Sequence, residues 1–165
     1  MPDRSTCQSP IYAVERYFEL MFDNDVSRFD QVFASSAQLH GLRDGKLRLL
    51  AAHEYKNALA TGPSPKSRNA PRQQEILLVD FASPTQAMVK VRVRIDTLLY
   101  LDYLSYHCIN GVWLITAKSF HQVFSSSLFI LSGDTKRRPT DASTKLCLQC
   151  PEALSAQLQA SCGYW

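Results

Sequence analysis

Asn110-Gly111 stands between two runs of alternating apolar residues, Leu98–Ile109 and Val112–Val123, and constrains this chain more than any other feature. A type I′ hairpin turn needs φ > 0 at both central residues, which Asn and Gly tolerate, so the dipeptide predicts a two-residue turn. Such a turn fixes register, and register fixes which side chains share a face. On that register Cys108 opposes Trp113, Tyr106 opposes Ile115, Leu104 opposes Ala117, Asp102 opposes Ser119 and Tyr100 opposes His121. Read as a second two-residue turn, Asp96-Thr97 sets Val91 beside Asp102 and Val93 beside Tyr100. One face is then apolar, from Val89 through Leu104 and Tyr106 to Trp113 and Ile115, with Asp102 and His121 set into it. The other mixes cations and aromatics: Lys90, Arg92, Arg94, Tyr103, Ser105, His107, Leu114, Thr116, Lys118 and Phe120. That composition suits a covered sheet, such as a subunit interface.

Upstream the period is helical. Ser9-Pro10 predicts a helix start, serine as N-cap and proline in the first turn. Ile11, Val14, Tyr17, Phe18, Met21 and Phe22 then share one face, which periodicity alone assigns to core packing. Asn24-Asp25 breaks that helix and caps a second carrying Val26, Phe29, Val32 and Phe33. Residues 37–42 predict a short strand, turned at Asp44-Gly45 and returned over Lys46–Leu49. Residues 51–61 predict a third helix closed by Gly62. The segment 62–72 is loop, broken by Pro63, Pro65 and Pro71, and its Lys66, Arg68 and Arg72 read as a solvated charge run. Strands follow over Glu75–Ala82 and Gln86–Ile95. Three helices and then four consecutive strands predict an α+β fold with an antiparallel meander.

At 165 residues this is one domain with a tail, large enough to fold without disulfide or metal. The domain is expected over 8–124, with a largely flexible tail over 125–165. A net charge of +3, concentrated in no segment, makes nucleic acid an unexpected partner. No apolar run reaches the ~18 residues of a membrane span, so no membrane partner is expected either. The polar N-terminus and five unevenly spaced cysteines predict reduced thiols and a cytoplasmic location. Cys147 and Cys150 have metal-ligand spacing but supply half a tetrahedral site, so neither metal nor cofactor is expected.

A carboxylate among apolar neighbours is costly unless paired or protonated, which makes Asp102 a candidate functional group or a structural hydrogen-bonder. As an acid–base site, Asp102 would act as base, with His121 or Tyr100 as acid or orienter. On the predicted face Tyr100, Leu104, Tyr106, Trp113, Ile115 and Ser119 would line the pocket with them. His53 and His107 read as surface residues.

Together, "PSPKSRNAPRQQEILLVDF", "AMVKVRVRI" and "DYLSYHCINGVWLITAKSFH" resemble the putative lumazine-binding, SnoaL-like branch of the nuclear transport factor 2-like superfamily. The most specific pieces are Asp102-Tyr103-Leu104-Ser105, Asn110-Gly111-Val112-Trp113 and Lys118-Ser119-Phe120-His121. The resemblance spans Pro10 to His121 and implies a cone: a strongly curved antiparallel sheet packed on three N-terminal helices, with a pocket at its open end. It implies that Asp102 and His121 fall at positions kept polar, that His40 lines the pocket from the first strand, and that the chain dimerises through the sheet. Such cones house isomerases, cyclases, dehydratases and pure binding modules, so the fold does not decide among them. The leading expectation is a module binding a small hydrophobic or aromatic ligand. The alternatives are an acid–base enzyme using Asp102 and His121, and a protein-interaction module.

Overall fold

The computed structural model describes residues 9–123. Helix α1 (Pro10–Asp23) begins as expected, Ser9 Oγ accepting from the Ile11 amide and Pro10 in the first turn. It stops at Asn24, whose left-handed backbone (φ 55°) lets its N–H reach the Leu20 carbonyl. The second helical segment, Val26–Gln31, is a 3₁₀ turn capped by Asp25. Strand β1 (Phe33–Arg43) starts earlier than periodicity indicated, because Phe33 and Ala34 are both buried and mask the alternation. It turns at Asp44-Gly45, both at positive φ, into β2 (Lys46–Ala51) and then helix α2 (Ala52–Thr61). Glu54 accepts from the Ala51 amide at 2.8 Å and satisfies one free donor at the start of α2.

Strands β3 (Gln74–Ser83), β4 (Gln86–Ile95), β5 (Leu98–Ile109) and β6 (Val112–Val123) form the meander. β1 then lies beside β6, and parallel to it, giving one six-stranded sheet in the order β2-β1-β6-β5-β4-β3. The inner face packs on the helices around Tyr17, Phe29, Phe33 and Tyr55, whose rings form a contiguous cluster. Burying four such rings dominates the apolar stabilisation of a domain this size. The three cations of the basic loop are exposed, as expected, and the loop is also tied to the domain: Lys66 N–H donates to the Phe22 carbonyl, Arg68 pairs with Asp96, and Arg72 stacks over Phe22. Among the described residues no helix is long and apolar enough to cross a membrane. The tail and the Cys147/Cys150 pair lie outside the described residues.

Candidate functional site

The β4–β5 register is the predicted one, Val91 beside Asp102 and Val93 beside Tyr100. Near the Asn-Gly turn β5–β6 also agrees, pairing Cys108 with Trp113 and Tyr106 with Ile115. Farther along it does not. Ser105 pairs with Ala117, so Thr116 is an extra residue on β6 and every later partner slips by one. Its hydroxyl holds the bulge, donating to the Ser105 carbonyl at 3.3 Å and lying 2.7 Å from His107 Nδ1.

The slip turns the rest of β6 over. Asp102 now faces Phe120, and Leu104 faces Lys118. His121 pairs with Leu101 and is exposed, on the sheet face opposite Asp102. Ser119 pairs with Tyr103 and with His40, so both lie on that outer face as well. The expected shared face of Asp102 with His121, Ser119 and His40 is therefore overturned, and Lys118 and Phe120 move to the interior. Leu104, Tyr106, Trp113 and Ile115 are buried on the inner face as expected, and Tyr100 is half-buried beside them.

What meets Asp102 instead is an ion pair built from three elements. Lys118 Nζ lies 3.2 Å from Asp102 Oδ2. Tyr17, delivered by α1, donates from Oη to the same oxygen at 2.5 Å and accepts from Lys118 Nζ at 2.8 Å. Tyr17 and Asp102 are fully buried and Lys118 is 4% exposed. The ammonium also sits 5.2 Å from the Tyr17 ring centroid, 5.4 Å from Tyr55 and 5.9 Å from Phe120, so it is enclosed by aromatic faces.

Burial pulls the Lys118 ammonium toward losing its proton, but Asp102 and then Tyr55 outweigh it and hold the pKa above the ordinary value. Burial raises the Tyr17 hydroxyl well above its ordinary range, and the Asp102 charge adds to this. Burial likewise raises Tyr55, against the pull of Lys118. The lysine is thus a fixed cation and both tyrosines are neutral hydrogen-bonding groups near neutral pH.

One buried carboxylate oxygen remains over: among the described residues Asp102 Oδ1 has no hydrogen-bond partner, and neither does the Tyr106 hydroxyl on the same strand face. Sequence reasoning missed Tyr17 and Tyr55 because their helical spacing reads as core. It missed Lys118 because a charge in an alternating strand reads as outward. A usable signal existed: a buried carboxylate requires a cation, and Lys118 enters its face if β6 slips by one.

A six-stranded curved, unclosed sheet packed on N-terminal helices defines the nuclear transport factor 2-like class of α+β cones, and solved structures agree. A protein of unknown function from Shewanella baltica with this fold matches with a TM-score of 0.60 at 20% identity, over 70% of this chain and 91% of that one. One from Silicibacter pomeroyi matches at 0.58 and 19%, over 68% and 92%. A ketosteroid isomerase-like protein from Erwinia carotovora atroseptica matches at 0.54 and 12%, over 69% and 93%. The family model described as "Putative lumazine-binding" matches residues 8–121, and the chain belongs to that family. A search of curated proteins gave no match.

Proposed function

We propose that the protein binds a small hydrophobic or aromatic molecule against the inner face of the sheet, with Asp102 as the polar contact. The observation that carries this is the orphaned Asp102 Oδ1. A buried acceptor left without a donor costs on the order of 1–3 kcal/mol, more when charged. A ligand N–H or O–H meeting it would recover that cost and gain orientation. Membership in the family supports a ligand-binding role, and the aromatic rings of Tyr17, Tyr55 and Phe120 supply the apolar surroundings such a ligand needs.

The test is a thermal-shift screen of pterins, flavins, steroids and aromatic polyketides against the wild type and Asp102→Asn. A ligand at a hundred times its Kd stabilises by about 2.7 kcal/mol. The expected result is a hit that Asp102→Asn weakens; shifts of equal size in both proteins reject Asp102 as the contact. Of the two second groups named for the acid–base alternative, His121 faces away and Tyr100 stays on the inner face with Asp102. The outer face supports a homodimer: Leu42, Leu47, Leu49 and Tyr103 are exposed there. Phe120, expected in that interface, belongs to the interior instead. Sedimentation equilibrium at tens of micromolar, on the order of common dimer constants, decides it, a monomer being the contrary outcome.

A further inference from the structure

We infer that Tyr17 determines which ligands the site accepts: by holding Asp102 Oδ2 it leaves Asp102 one free acceptor, so the site takes an uncharged molecule that presents a single N–H or O–H on an otherwise apolar edge. This deepens the binding role proposed above and rests on it. The inference follows from the donors and lone pairs of the cluster. A carboxylate oxygen has two lone pairs. On Oδ2 one takes the Tyr17 proton, at 2.5 Å, and the other faces Lys118 Nζ, at 3.2 Å. On Oδ1 neither is used among the described residues. The ammonium has three donors, and those of Lys118 go to Asp102, to the Tyr17 oxygen and to Tyr55. Tyr17 gives its one proton to Asp102, and Tyr55 gives its own to Met21 Sδ at 3.0 Å. The cluster therefore offers a ligand one acceptor oxygen and no donor.

That inventory sorts ligands by chemistry. An anion meets no free donor. A cation gives up its water for a carboxylate whose charge Lys118 already balances. An edge with two parallel N–H groups, such as the amino and ring N–H of a pterin, matches a carboxylate only when both oxygens are open. Here its second N–H would face an occupied Oδ2, and a buried donor without an acceptor weakens binding. A lone hydroxyl or ring N–H avoids all of these costs. Of the two groups on Oδ2, Lys118 supplies the counter-charge and Tyr17 only the hydrogen bond. Tyr17 can therefore lose its hydroxyl without unpairing the carboxylate, and the space its oxygen leaves is where a second ligand donor would fit.

The test titrates three uncharged probes of one shape into the intact chain and reads their Kd values by thermal shift. Indole carries one ring N–H, 1-methylindole carries none, and 7-aminoindole carries two donors side by side. Indole should bind the wild type about tenfold or more tightly than either of the others, which corresponds to roughly 1.4 kcal/mol. Tyr17→Phe keeps a ring against Phe18 and Phe33, keeps the ion pair, and frees one lone pair of Oδ2. In that variant 7-aminoindole should bind at least as tightly as indole, while 1-methylindole stays weak. A purely structural Tyr17 would weaken all three in parallel, and that outcome in the folded variant overturns its role. If Tyr17→Phe does not fold, the wild-type order decides. Equal Kd values for indole and 7-aminoindole, with 1-methylindole weaker, overturn the single-acceptor site and keep the binding role. Equal Kd values for all three remove Asp102 as the contact and overturn both, as does binding by none of them.

Discussion

Lys118 and Asp102 illustrate what a buried ion pair demands. Each charge lost its water, and each is tolerable because the other and Tyr17 stand within hydrogen-bonding distance. Removing one partner strands the other. Asp102→Asn and Lys118→Met should each cost about 3–5 kcal/mol in urea unfolding, while the double variant should cost clearly less than their sum. Additive costs would mean that the two groups do not communicate. Alkali is the second probe. Tyr17 and Lys118 both have pKa values raised by folding, so the native state holds protons that the unfolded chain releases above about pH 10. Their contribution is complete below the unfolded values and is lost as pH rises toward the folded ones. The urea midpoint should fall steeply from pH 10 upward, and Tyr17→Phe should soften that fall. An identical slope in Tyr17→Phe would remove Tyr17 from the account.

The elements show how far local rules reach. Strands β4, β5 and β6 have the bounds their turn dipeptides and alternation indicated, because Asp96-Thr97 and Asn110-Gly111 leave the chain few alternatives. The Thr116 bulge was invisible for an equally physical reason. Ile115-Thr116-Ala117-Lys118 contains two small or ambivalent residues that suit either face, so the hydrophobic pattern does not resist a slip. What decides the register lies 101 residues away, where Tyr17 meets Lys118. No window of local sequence contains that contact, and the candidate site moved with it, from His40, Ser119 and His121 to Tyr17, Tyr55 and Lys118. The bulge can be tested. Thr116→Ala removes a hydroxyl that bonds the Ser105 carbonyl and should cost about 1 kcal/mol. Deleting Thr116 restores the unbroken hairpin register, turns Lys118 and Phe120 outward, and should abolish cooperative unfolding. A deletion variant that unfolds with wild-type cooperativity would show the bulge to be dispensable.

For the molecule as a whole, strand order has a consequence for synthesis. β1 precedes its neighbour β6 by some seventy residues of intervening chain, yet the two are hydrogen-bonded side by side. On the ribosome, the β1–β2 hairpin is therefore made first, and the free edge of β1 stays open until β6 has cleared the exit tunnel. Non-local pairing of this kind delays folding into the millisecond-to-second range and leaves a strand edge available to other nascent chains. Truncation before Val112 should yield an aggregating product, and full-length synthesis should depend on chaperone holding until β6 closes the gap.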